Sequence, residues 1–151
     1  MVGKLEKPST TKREDMLAVI MKLAEARVQA RYDVLEASAT EDIVVTINGN
    51  RLFTPFAGKF HGIPAARSAL ERLSIEFDYR NVEMKHIMID GDQVGMRWLG
   101  VLRNRGTSAE DEFEGFLHLI FRDGKVCEYA AFVDTAALAR LADWPMPSSA
   151  D

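Results

Sequence analysis

The sequence has little of what marks a disulfide, metal or membrane protein. Cys127 is its single cysteine, so an internal disulfide is excluded and no oxidising compartment is required. The apolar runs are too short for a membrane helix, and residues 16–26 are interrupted by Lys22 and Glu25, which excludes a signal peptide of the usual type. The three histidines lack metal-ligand spacing. We therefore expect a cytoplasmic protein without a metal or other cofactor.

The chain also lacks an excess of positive charge. Its formal net charge is -4, and lysine and arginine are scattered among acidic residues. Phosphate-backbone binding requires clustered cations, so we expect no nucleic-acid partner and no membrane partner. The 151 residues, 47% of them hydrophobic, are enough for one domain with its own core.

Residues 79–134 are the most informative stretch and predict four β-strands. Asp90-Gly91-Asp92 and the segment at 122–125 are turn sequences, because glycine adopts the positive φ that a short hairpin requires. The residues between these turns are rich in Val, Leu, Ile, Phe and Trp with interspersed polar residues. A curved antiparallel sheet is the expected result.

The flanking segments predict helices and one further strand. Thr11 and Glu14 form a capping box that starts a helix running to about Ser38, either continuous or as two helices with a kink. Residues 43–47 predict a strand, 52–60 an aromatic loop over an opening, and 64–77 a helix with Pro64 in its first turn. Asp134 is placed to cap a last helix.

This order of elements predicts an α+β fold in which helices cover the concave face of a cone-shaped sheet. A small molecule would fit between the helices and the sheet. We expect one domain over residues 13–144, a flexible N-terminal tail at 1–12 and a C-terminal tail at 145–151.

Several of these turns and strand ends resemble a known family. The segments 42–47, 60–62, 90–94, 121–126 and 132–134 resemble the nuclear transport factor two-like superfamily, especially its SnoaL-like and ketosteroid-isomerase-like proteins. The resemblance covers about residues 13–142 and implies the same cone-shaped fold. It does not imply one activity, because the superfamily contains isomerases, dehydratases, polyketide cyclases, epoxide hydrolases and binding proteins.

The catalytic groups of the family are incomplete in this sequence. The resemblance places the catalytic aspartates of the isomerases at Ile47 and Leu117, their tyrosine near Leu23, and the aspartate of the cyclases at Ala131. The Arg and Asp of the hydrolases fall on Arg97 and Leu99. The resemblance therefore leaves open whether this chain is an enzyme.

Arg97 and Tyr129 are the weak catalytic candidates. An Arg97 facing the cone would be a desolvated cation suited to a carboxylate, phenolate or enolate; alternatively it points outward while Met96 and Trp98 fill the core. Tyr32 and Tyr129 would offer hydroxyl groups to a ligand or simply pack in the core. The expected ligand-binding residues are Tyr32, Val45, Ile47, Phe56, Phe60, Arg97, Leu117, Tyr129 and Ala131.

The outer face of the sheet is the expected homodimer interface. If Leu117 faces inward, His118 shares the outer face with Phe116 and Ile120, and we include Trp98 in this patch. Three functions stay open: proton-transfer chemistry on a small hydrophobic molecule, non-catalytic binding of such a molecule, or interaction with another protein.

Overall fold

The computed structural model describes residues 10–145, and their side chains from residue 13 onward. Four helices and six strands follow one another as α1 (Thr10–Gln29), α2 (Tyr32–Ala37), β1 (Ala39–Ile47), β2 (Gly58–His61), α3 (Ile63–Glu76), β3 (Phe77–Asp90), β4 (Gln93–Asn104), β5 (Glu110–Arg122), β6 (Lys125–Val133) and α4 (Thr135–Ala142). The predicted α+β fold is confirmed.

The strands form one mixed sheet in the order β2-β1-β6-β5-β4-β3. The predicted meander of four antiparallel strands is present as β3 to β6. The expectation of a wholly antiparallel sheet is corrected at one place, because β1 lies parallel to β6 with Val45 opposite Tyr129. The first strand of the domain thus enters the sheet beside the last one.

The N-terminal helical segment breaks at Ala30. This residue has a φ of 55°, and the next amide, of Arg31, donates to the Ala26 carbonyl at 2.8 Å, which is a typical left-handed helix end. Of the two alternatives that the sequence left open, the structure has two helices, α1 and α2, separated at this residue. The described helix already includes Thr10 and Thr11, so Thr11 is not its cap and the predicted tail overlaps it. Residues 1–9 and 146–151 of the predicted tails lie outside the described residues.

The predicted aromatic loop at 52–60 contains a short strand. β2 pairs antiparallel with β1, with Phe60 opposite Val45. Four residues are too few to show a period of two in the sequence, so the strand was missed. Immediately after it, Gly62 at a φ of 85° leads into α3, and Pro64 lies in the first turn as expected.

Alternation along β4 and β5 assigns their side chains to two faces. Val94, Met96 and Leu102 of β4 are buried, as are Phe113 and Leu119 of β5. These side chains belong to the same core as buried residues of α1, α3 and α4, so the helices cover one face of the sheet. The other face carries the remaining side chains of both strands.

Asp134 caps α4 as predicted. Its carboxylate accepts a hydrogen bond from the Ala137 amide at 3.1 Å. Beyond the helix, Trp144 packs edge-on against Phe56 and Phe77, with ring centroids 5.2 and 6.0 Å apart. The C-terminal helix is thereby fixed against the start of β3.

Of the helices in residues 10–145, none has the length and apolarity needed to cross a membrane.

Candidate functional site

A cavity lies between α1 and the covered face of the sheet. Ile20, Leu23 and Ala24 line it from the helix, and Met96, Trp98, Leu117, Leu119 and Ala131 line it from the strands. Its volume is about 110 Å³, several times the roughly 10–15 Å³ that one water molecule requires by the same measure. We call this space the central cavity, and its wall is almost wholly apolar.

Arg27 brings a positive charge into this apolar wall. One guanidinium nitrogen donates to the Ser74 hydroxyl of α3 at 2.6 Å, and the other terminal nitrogen donates to the Tyr79 hydroxyl of β3 at 3.0 Å. The guanidinium carbon lies 4.6 Å from the centre of the Tyr79 ring. These neutral partners hold Arg27 in place without neutralising it.

Burial and the neighbouring tyrosines act on the pKa of Arg27 in opposite directions. Burial lowers it, whereas Tyr79, Tyr129 and Tyr32 raise it, and the net direction is upward. The tyrosine effect is an attraction for phenolate forms, which are scarce near neutral pH. At that pH Arg27 is a cation whose burial is only partly compensated.

Tyr129 lies on β6 and shares the wall of the cavity with Arg27. It is buried, and burial raises its pKa, although the charge of Arg27 acts in the opposite direction. The hydroxyl therefore stays protonated near neutral pH. In that form it donates a hydrogen bond and does not act as a general base.

Carboxylates and imidazoles are absent from the described lining of the central cavity. His61 and His86 are exposed, and a nitrogen of His118 lies 3.0 Å from the Gln93 side-chain oxygen on the other face. The polar groups that reach the cavity are thus a cation, two phenol hydroxyls and an indole. This set can hold an electronegative atom, but it does not supply a strong base.

Five of the expected ligand-binding residues line a cavity. Leu117, Tyr129 and Ala131 lie on the central cavity, while Tyr32 and Val45 line a smaller one of about 40 Å³. Leu23, Leu70 and Tyr129 contact both spaces. The Tyr32 hydroxyl donates to the Leu70 carbonyl at 3.4 Å, which is the structural role considered for it from the sequence.

Three expected residues lie outside the described linings of these two cavities. Ile47 is buried in the core, and Phe60 packs at its edge. Phe56 contacts Trp144, and Arg72 lies over its ring at 4.3 Å. Phe56 of the predicted aromatic loop therefore packs against α3 and the segment after α4.

Arg97 points away from the central cavity. It pairs with Glu114 on the outer face, and 43% of its side chain is exposed. Met96 and Trp98 have the opposite strand parity and line the cavity, which corrects both the position expected for Arg97 as an anchor and the assignment of Trp98 to the outer patch. Because side chains alternate along a strand, Arg97 must face outward once Met96 or Trp98 is known to face inward.

Phe116, His118 and Ile120 have the predicted outward parity on β5. Phe116 is 36% exposed, and its cross-strand partner Phe132 is 40% exposed. Their ring centroids are 6.5 Å apart. The apolar patch on the outer face is therefore present, while its role as a homodimer interface stays a prediction.

The sequence contained a signal for Arg27 that we missed. Arg27 follows Ile20 by seven residues and Leu23 by four, so it lies on the same helical face as these buried side chains. A charged residue in the middle of an apolar stripe is unusual unless it has a buried partner. Arg27 was not among the residues that we predicted to bind a ligand.

Across residues 10–145, no group of three or more His, Cys, Asp or Glu side chains is arranged to hold a metal ion.

Comparisons with solved structures identify the same fold in several proteins. A nuclear transport factor two-like protein of unknown function from Burkholderia pseudomallei aligns with a TM-score of 0.75 at 13% identity, over 85% of this chain and 97% of that one. A candidate SnoaL-like polyketide cyclase from a Jannaschia species aligns with a TM-score of 0.74 at 17% identity, over 95% of this chain and 99% of that one. TerC, co-crystallised with polyporic acid, aligns with a TM-score of 0.75 at 12% identity, over 85% of this chain and 98% of that one.

At these identities the likeness extends to the fold alone. No curated protein matches the chain. The profile of the SnoaL-like domain, however, matches residues 20–129, which include the cavity-lining positions from Ile20 to Tyr129. The chain belongs to the SnoaL-like domain family.

Proposed function

We propose that this protein binds a small, mainly apolar molecule in the central cavity without transforming it. The observation that carries this proposal is the contrast within the wall, where apolar side chains surround the single guanidinium of Arg27. Apolar surface supplies affinity, and a few fixed polar groups orient the ligand. Trp98 and Tyr79, whose ring centroids are 6.4 Å apart, add flat surfaces for a ring system.

The described lining favours binding over catalysis. Apart from Arg97, which pairs with Glu114 on the outer face, the positions at which the resemblance places catalytic groups of family enzymes carry apolar side chains here, and Leu23, Leu117 and Ala131 line the cavity. Proton abstraction from carbon requires a base within reach, and a protonated Tyr129 does not provide one. A structural neighbour co-crystallised with polyporic acid supports a small organic ligand for a fold of this kind.

The main test is to fill the cavity. Ala131→Phe adds a ring to the apolar wall, and we expect it to weaken binding of neutral acetophenone at least about tenfold in isothermal titration calorimetry. Ala136→Phe is the matched control because Ala136 is exposed on α4. Leu117→Phe is a smaller change at the same wall if Ala131→Phe fails to fold. Unchanged affinity in both folded cavity variants would place the ligand elsewhere.

Proton transfer is the second candidate function. A cation and protonated hydroxyls are the groups that stabilise a developing oxyanion, and a fold neighbour is a candidate polyketide cyclase. In this case water would accept the carbon-bound proton. The test is deuterium exchange into the methyl group of acetophenone, followed by NMR. Exchange faster than in buffer that disappears in Arg27→Met would favour catalysis, whereas exchange at the buffer rate with the wild-type protein would favour binding alone.

A further inference from the structure

We propose that the natural ligand is an organic acid, with an apolar ring in the central cavity and its carboxylate or acidic phenol oxygen on Arg27. This inference rests on the proposed function and specifies the chemical class of its ligand. The argument starts from charge, because an apolar wall alone would accept any hydrophobic molecule.

The charge of Arg27 is not neutralised within the described part of the chain. The side chains that act on it there are the hydroxyls of Ser74 and three tyrosines, and no carboxylate is among them. Exposed arginines of the same protein do pair with acids: Arg67 with Glu36 and Glu71, Arg80 with Asp78 and Glu110, Arg97 with Glu114, Arg105 with Asp78, and Arg122 with Asp42. The distribution is the reverse of what stability alone would favour, because a buried cation gains most from a counterion.

The geometry of Arg27 leaves room for an acid. Two of its nitrogens donate to Ser74 and Tyr79, which lie on different elements and fix the plane of the guanidinium, and Tyr129 shares a further hydrogen bond with it. The fork carries further N–H donors, and a carboxylate accepts from two of them at once. The protonated Tyr129 is a second donor beside the same charge. An anionic oxygen placed here would therefore receive a charge-assisted bond in an apolar environment.

The apolar side chains of the wall restrict the remainder of the ligand to apolar groups. Leu119, Met96 and Ala131 offer no polar group, so a second charge or a sugar would be left without a partner. The volume of the cavity suits a single ring rather than a fused ring system or a long chain, since an apolar cavity of about 150 Å³ holds benzene. The expected class is a compact aromatic or alicyclic acid.

Arg27 also has a structural role that any test must separate from ligand recognition. Its bonds to Ser74 and Tyr79 connect α1 to α3 and β3. A merely structural arginine would affect acids and neutral molecules equally when replaced. Discrimination between an acid and its neutral analogue is therefore the informative quantity.

The experiment compares benzoate with acetophenone by isothermal titration calorimetry at neutral pH. We expect the wild-type protein to bind benzoate at least about tenfold more tightly, since a bond to a charged group contributes more than one to a neutral group. Arg27→Met should abolish this preference while keeping acetophenone within about threefold of its wild-type affinity. Arg97→Met is the matched control and should retain the full preference.

The outcomes separate this inference from the proposed function. Equal affinities in the wild type, or a preference that persists in Arg27→Met, would overturn the assignment of an acid while leaving the cavity as a binding site. Failure of both molecules to bind the wild type would overturn the proposed function and this inference with it. If Arg27→Met does not fold, Arg27→Lys retains a charge with different geometry, and a preference reduced but not lost in that variant would support the assignment.

Discussion

Arg27 and Arg97 have the same side chain but lie on opposite faces of the sheet. Arg97 lies on the outer face, pairs with Glu114 and is 43% exposed. Arg27 reaches the covered face, where its partners are neutral hydroxyls and an aromatic ring. An exposed ion pair contributes little to stability, whereas an unpaired buried cation costs free energy. The comparison supports a role for Arg27 beyond stability.

The same contrast extends to the surfaces around the two arginines. Apolar groups on the covered face form a core and a cavity. Apolar groups on the outer face, among them Phe116, Phe132 and Met88, are exposed in the single chain. One face is suited to a small molecule, and the other carries the patch predicted to pair two copies of the chain.

The largest expected effect concerns assembly. If the outer face is a homodimer interface, Phe116→Asp places a charge at the centre of the patch and should convert a dimer to a monomer in light scattering. Ile75→Asp is the control, because Ile75 is 74% exposed on α3, away from this face. A Phe116→Asp protein that remains dimeric would show that the copies meet elsewhere.

The next effect compares the same substitution on the two faces. A Cβ at Gly115 would lie 2.2 Å from the Trp98 ring, and one at Gly95 would lie 2.9 Å from the far end of the Phe116 ring. Trp98 is confined in the cavity wall, so we expect Gly115→Ala to lower the free energy of unfolding by about 1–3 kcal/mol. Gly95→Ala should cost less, because the exposed Phe116 ring is free to turn. Equal losses in urea titrations would contradict this difference between the faces.

How much of this fold was predictable depended on the length of each pattern. The four strands of the meander and the cap at Asp134 followed from turn residues and from alternation. β2 was missed because four residues carry no clear period, and its pairing with β1 is a long-range contact. Local patterns also gave no sign that β1 lies parallel to β6.

The site was less predictable than the fold. The alternation of side chains along β5 correctly placed Leu117 on the inner face. The direction of Arg97 could be predicted only by knowing which of the two alternating sets of side chains on β4 faces inward. Arg27 was identifiable only as a charge on an apolar helical stripe. Its lack of an acidic partner is a three-dimensional property, because Ser74 and Tyr79 are 47 and 52 residues away in sequence.

A smaller effect is expected on the free energy of unfolding, which should change when Arg27 is replaced and stay constant when Arg97 is replaced. Arg27→Met removes an uncompensated buried charge and fills the space with an apolar chain, so we expect the free energy of unfolding to rise by about 1 kcal/mol in the absence of ligand. Arg97→Met should leave it unchanged within error. A clear loss of stability in Arg27→Met alone would show that the bonds to Ser74 and Tyr79 stabilise the fold by more than the buried charge costs, and urea unfolding measures both variants.

The smallest effect is a pH dependence confined to the outer face. The hydrogen bond from Arg97 lowers the pKa of Glu114 from its ordinary 4.5. A carboxyl group whose pKa is lower in the folded state stabilises the fold at pH values above its ordinary pKa. This contribution is lost as the pH falls through the folded-state pKa. The difference in urea midpoint between wild type and Glu114→Gln should therefore be present at pH 7 and vanish in acid. Glu112→Gln, on the same strand face, is the control; a constant difference for Glu114→Gln would exclude this linkage.

Methyl NMR on the methionines tests the central claim most directly, because Met84 and Met96 line the cavity whereas Met88 is 59% exposed on the outer side. Titration of the ¹³C-methyl-labelled protein with benzoate reports on both faces in one spectrum. We predict that the Met84 and Met96 signals shift together and saturably while Met88 stays constant, and that Arg27→Met weakens the benzoate response. A shift of Met88 with unchanged Met84 and Met96 signals would contradict the assignment of the central cavity as the binding site.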